Sequence, residues 1–193
     1  MKFKGNRKAV MAVCLTGIYL TLMCSVIIAS ENQRGRFDDQ GNFYLPEDYR
    51  TWVYIGGSVT PNEMNNGQAA FPEFHNTYID PRSFQQYKKT GKFKDGTILM
   101  KETVDIASKK SLSGKGYFMG DFVGLFAMVK DSQLFPAEPE NWAFFTFKAK
   151  AEDPVTQKAQ SHETQSCSAC HAAGDQERVF TQHYPVIQAA KPE

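Results

Sequence analysis

The sequence predicts an α+β fold: a predominantly antiparallel β-sheet domain with short helices and a C-terminal helical segment. Three observations carry that expectation. Apolar and aromatic runs of strand length recur through the middle of the chain, turn residues punctuate them, and the composition becomes polar and helix-friendly after Asp153. A length of 193 residues suits one domain with a buried core. The balance of 22 basic against 21 acidic side chains excludes a strongly basic protein, so no nucleic acid is expected as a partner.

Lys2, Lys4, Arg7 and Lys8 precede Ala9–Ala29, a stretch of 21 residues without a charge. Residues 1–30 therefore read as a signal peptide or an N-terminal anchor. Ala29 and Ser30 are small enough for cleavage, whereas Ile27 and Ile28 fit a cleavage site less well. Either version exports the remaining chain, which points to the periplasm. Four of the 22 basic residues and none of the 21 acidic ones lie in the leader, so the exported part has a net charge of −3. Cys14 and Cys24 also belong to the leader. Cys167 and Cys170 remain.

In the exported chain, residues 31–42 read as a frayed lead-in. Arg50–Val59 is a strand with a glycine bulge, and Thr60–Gly67 has loop chemistry. Glu73–Ile79 is a second strand. Asp80 then caps a short helix, with Pro81 in its first turn and Gly91 as its stop. The Asp95-Gly96 turn launches a strand over Thr97–Ile106, and Lys109–Gly116 reads as a flexible basic loop. Phe122–Val129 and Trp142–Ala149 are aromatic strands joined by the proline-containing connection Asp131–Asn141. The 15 Phe, 8 Tyr and 2 Trp gather in these segments, as expected for β structure that encloses something flat and apolar.

Cys167-Ser168-Ala169-Cys170-His171 is C-x-x-C-H, the attachment motif of a c-type haem. On one helical turn the thiols can reach two vinyl groups while the adjacent imidazole turns toward iron. A redox dithiol belongs on a βαβ unit, and a zinc site needs more ligands than lie nearby. One motif means one haem c, with His171 as the iron ligand, in a single c-type haem domain over residues 31–193. For the opposite side of the iron, Met64, Met100, Met119, Met128, His75, His162 and His183 are the candidates. Met100 and Met128 lie on core-like runs, whereas His162 and His183 read as solvated. His75 lies in the apolar-flanked strand PEFHNTYI. Nothing dictates a sixth ligand, so the position is expected to be open or water-filled.

Alternation along TILMKETVDI puts Thr97, Leu99, Lys101, Thr103 and Asp105 on one face and Ile98, Met100, Glu102, Val104 and Ile106 on the other. Physical chemistry alone makes Lys101 an ordinary solvent-facing residue.

Six segments change that expectation: LPEDYRTWVYIGGSVTPNEMNNG (45–67), TYIDPRSFQQYKKTGKFKDGTILMKE (77–102), GYFMGDFVGLFAMVKDSQLF (117–135), NWAFFTF (141–147), CSACH (167–171) and VFTQHYPVIQAAK (179–191). Together they resemble the cytochrome P-460 family, exported mono-haem proteins that include the cytochromes c′-beta. The resemblance runs from about Phe37 to Ala190. It implies a β domain, usually a homodimer, with five-coordinate iron on His171. It also implies that Lys101 bonds covalently to the haem edge, as in the P-460 branch, which oxidises hydroxylamine and passes electrons to soluble c-type cytochromes. The c′-beta branch lacks that bond and binds nitric oxide beneath phenylalanines. Two positions depart from the hydroxylamine-oxidising pattern. Phe126 stands where a pocket carboxylate is expected, and His75 where an arginine is. Phe126 cannot accept a proton; the unperturbed pKa of histidine near 6.5 suits His75 to that task. The resemblance thus implies a hydroxylamine oxidoreductase, with nitric oxide capture as the alternative.

Overall fold

The chain runs β1 (Phe43–Tyr44), β2 (Val53–Val59), β3 (Phe74–Ile79), α1 (Pro81–Thr90), β4 (Ile98–Ser111), β5 (Gly114–Lys130), β6 (Trp142–Lys148), β7 (Lys158–Ala159), α2 (Thr164–His171) and α3 (Pro185–Ala189). This computed structural model describes residues 35–190 and 192. The leader over 1–30, with Cys14 and Cys24, lies outside the described residues. Strands β2 to β6 form one antiparallel sheet in chain order, and β1 pairs with β7 in a second, two-stranded sheet. The α+β architecture with a mainly antiparallel sheet is the one the sequence predicts.

Both faces of the main sheet are covered. Phe43, Tyr49, Trp52, Met100, Phe145 and Phe147 pack on one side. Ile55, Ile79, Tyr87, Leu99, Trp142 and Phe144 pack on the other. Complete burial of each such aromatic side chain contributes on the order of 2–3 kcal/mol. Strands buried on both faces read as continuous apolar runs, which is why FVGLFAMV and WAFFTF stand out so clearly.

Asp80 joins helix to sheet. Its Oδ1 accepts the Ser83 N–H at 2.9 Å as the N-cap of α1, while its Oδ2 accepts the Ile98 N–H at 3.1 Å at the start of β4. Pro81 opens α1 and Gly91, at φ 65°, ends it. Gly56 is required for a different reason. At φ 151°, a Cβ there would lie 2.9 Å from Pro185 Cδ and 3.1 Å from the His183 carbonyl oxygen. Its hydrogen lets the C-terminal segment lie directly on β2.

Two expectations are corrected. Lys109–Gly116 is not a flexible loop: the ladder continues through Lys110↔Lys115 to Ser111↔Gly114, closed by a tight turn. Beyond Val104, β4 and β5 have outrun β3 and β6, so this ribbon has no core to cover and solvates itself with Lys and Ser. That removes the alternation by which a strand is recognised. The lead-in is not frayed from Phe37 on. Phe37 packs 5.1 Å from the Phe43 ring, and Asp38 accepts N–H groups of Gln40 and Asn42 while pairing with Lys158 at 2.7 Å. Only a tertiary partner reveals that.

Replacing Asp80 with Ala removes a cap and leaves the Ile98 N–H unsatisfied in a buried position, which should cost about 2 kcal/mol. Denaturant unfolding of the haem-loaded protein measures this; a loss near zero would contradict the joint role.

Candidate haem site

Register brings one row of residues across the sheet: Gly56, Thr77, Lys101, Phe126 and Thr146 are successive cross-strand partners. Directly opposed residues in antiparallel strands share a face. The next row outward sets His75, Thr103 and Gly124 on that same face. A Cβ at Gly124 would meet Thr103 Oγ1 and come 2.9 Å from the Phe126 ring, so Gly124 makes room for that ring.

The C-terminal segment crosses this face. At one end of the row Thr77 Oγ1 lies 3.4 Å from the Tyr184 hydroxyl. At the other, His162 Nε2 is 2.7 Å from Thr146 Oγ1 and the His162 N–H donates to the Phe144 carbonyl. His162 is therefore docked on the sheet and not solvated as its polar sequence neighbours suggest. His183 is exposed, as expected. Met100 and Met128 are core residues, while Met64 and Met119 are exposed on the loop and ribbon.

Lys101 occupies the middle of the row. Its Nζ lies 4.7 Å from the Phe71 ring centroid and 5.0 Å from that of Phe126. Burial pushes its pKa below the usual 10.5, and the charges of Cys167 and Glu73 oppose that shift. The amine is thus withdrawn from solvent between the two rings, with Cys167 of α2 within electrostatic reach.

In α2, Cys167 and Cys170 are free thiols three residues apart, so they share a helix face. The His171 ring packs between Phe144 at 4.7 Å and Phe180 at 5.2 Å. Burial lowers its pKa below 6.5, favouring the neutral imidazole that ligates metals. Its Nδ1 donates to the Arg178 carbonyl at 2.9 Å, which leaves Nε2 for a metal. That carbonyl is aimed by a strained turn: Glu177 and Arg178 have φ of 46° and 65°. Three ties hold the turn. Arg178 Nη1 donates to the Ser168 carbonyl at 2.8 Å, Glu177 pairs with Lys130 at 2.7 Å, and Gln176 accepts from the Tyr87 hydroxyl at 2.9 Å.

His75 and Glu73 complete the polar inventory. His75 Nε2 and Glu73 Oε2 are buried without a hydrogen-bond partner. Burial first, and then the charge of Lys101, pull the His75 pKa down to about 4. At neutral pH the ring is uncharged and a weaker base than its unperturbed value suggests. Glu73 escaped the reading of the sequence, although its spacing of two from His75 in PEFH put it within reach of the same face.

Buried polar atoms without partners, two free thiols and an oriented imidazole between aromatic rings suit a haem better than a closed apolar core. Among the described residues no group of three or more His, Cys, Asp or Glu side chains gathers as a metal-ligand set. Fold and site together define a haem-binding cytochrome domain built on an antiparallel sheet.

The chain matches the Cytochrome P460 family over residues 46–181 and belongs to that family. Membership makes haem its cofactor. No curated protein matches the chain.

The His75 pKa lies below the unfolded value of 6.5, so the unfolded chain takes up the proton first. Its contribution to stability is complete above pH 6.5 and lost as pH falls toward about 4. Exchange of His75 for Gln should flatten that part of the stability–pH curve measured by denaturant unfolding; an unchanged slope would show that His75 titrates normally.

Proposed function

We propose that this protein is an exported mono-haem cytochrome that oxidises hydroxylamine, with its haem bonded to Cys167, Cys170 and Lys101 and its iron ligated by His171. The observation that carries this reading is the buried Lys101 amine in mid-sheet, within electrostatic reach of Cys167 and against the Phe126 ring. A lysine on a solvated strand would have no such neighbours.

The chemistry divides simply. Bound haem supplies the electron acceptor for the substrate nitrogen. The chain's own residues orient, shield and deprotonate. His171 is held by the Arg178 carbonyl. Phe126 and Phe71 flank the Lys101 amine. Oxidation of hydroxylamine to nitrous oxide releases protons and electrons in equal number, so the pocket requires a proton acceptor. Electrons then leave to a soluble c-type cytochrome. Export to the periplasm, by a cleaved leader or with residues 1–30 retained as an anchor, and assembly as a homodimer belong to the same proposal.

Phe126 favours a second reading. An apolar side chain over the site suits capture of nitric oxide, which has no proton to give, without efficient hydroxylamine turnover.

Mass spectrometry decides between them. After chemical cleavage of the thioether bonds, the peptide containing Lys101 should retain the mass of haem, and the protein should turn over hydroxylamine with an artificial acceptor. Lys101→Ala should keep haem through Cys167 and Cys170 yet lose turnover by roughly tenfold or more, about 1.4 kcal/mol of barrier. An unmodified Lys101 peptide, together with nitric oxide binding and no turnover, would establish the second reading.

A further inference from the structure

An unpaired carboxylate oxygen in a protein interior needs a reason. Leaving one unsatisfied costs about 1–3 kcal/mol, more when it is charged, and buried polar atoms are nearly always hydrogen-bonded. Glu73 Oε2 and His75 Nε2 are two such atoms, His75 in β3 and Glu73 one residue before its start. His75 faces the Lys101 side of the sheet through its partner Thr103, and the Glu73 charge reaches the Lys101 amine. Glu73 and His75 thus both bear on the Lys101 amine of β4. His75 Nδ1 lies 3.5 Å from Ser58 Oγ, the long limit of a hydrogen bond. A small polar ligand could satisfy either unpaired atom, whereas Phe126 cannot.

We infer that Glu73 is the carboxylate that accepts the substrate's proton in this chain, with His75 as the neighbour that holds the substrate's hydroxyl. The inference rests on the hydroxylamine reading above and deepens it, because the acceptor comes from the residue before β3 and not from the Phe126 position on β5. In the step itself an N–H bond of hydroxylamine breaks and an O–H bond forms on Glu73 Oε2. Haem, when bound, would supply the acceptor for the electron pair left on nitrogen, with the cytochrome as the final acceptor. His75, uncharged at neutral pH, makes a hydrogen bond without competing for that proton.

Optical titration of the ferric haem-loaded protein tests this without turnover. In Glu73→Gln, affinity for hydroxylamine should fall roughly tenfold, as expected for loss of a charge-assisted hydrogen bond, while nitric oxide affinity stays within about twofold. Glu73→Asp, which keeps a carboxylate, should recover part of the difference. Where turnover is measurable, Glu73→Gln should lower kcat roughly a hundredfold or more, the usual worth of a general base. Unchanged hydroxylamine affinity in Glu73→Gln would overturn the inference. So would equal losses for both ligands, or equal impairment by Gln and Asp, since each marks a structural role. An unmodified Lys101 peptide with this ligand selectivity intact would instead count against the hydroxylamine oxidase reading alone.

Discussion

A slip of β4 by one residue against its neighbours would exchange the two faces of the sheet, sending Lys101 into the Phe43 cluster and Glu102 into the site. The residues on either side of Lys101 prevent that slip. Met100 is fully buried in the opposite core, and Glu102 accepts the Tyr49 hydroxyl at 2.5 Å and Arg50 Nε at 2.7 Å. Burial and the Glu102 carboxylate together push the Tyr49 phenol well above its usual pKa, so it stays a donor. The position of the Lys101 amine is thus set by contacts on the other side of the sheet, out of reach of any ligand.

A second constraint acts on the metal-ligating side. The imidazole of His171 is oriented by a carbonyl at the apex of a left-handed turn, and such backbone persists only where its surroundings enforce it. Here β5, α2 and α1 supply the enforcement through Lys130, Ser168 and Tyr87. Gly174 belongs to the same device, since a Cβ there would lie 2.5 Å from the Arg178 carbonyl carbon. The sheet presents Lys101 and the C-terminal turn presents His171. Gly56 lets the two surfaces close on each other.

Much of this was legible in the sequence because it is local. Asp80, Pro81 and Gly91 bracket a helix by capping chemistry, the aromatic strands announce themselves by burial on both faces, and CSACH sits on one helical turn. The face assigned to Lys101 by alternation is also the observed one. What was not legible depends on partners far along the chain. His162 lies in a polar stretch, and only its docking on Thr146 brings it to the site. Glu73 read only as the first residue of a strand, and nothing local showed that one of its oxygens is buried without a partner. The ribbon beyond Val104 hid its strand character because nothing packs against it. Phe37 lacked a visible reason to be ordered until Phe43 and Phe145 were beside it.

The absorption spectrum of the reduced, haem-loaded protein tests most directly whether the Lys101 amine is close enough to the porphyrin edge to bond to it. A bond there perturbs the ring itself and shifts the main bands far to the red. Wild type should show that shift, and Lys101→Ala, still holding haem through Cys167 and Cys170, should show an ordinary c-type spectrum. Coincident spectra for the two proteins would contradict the proposed role of Lys101.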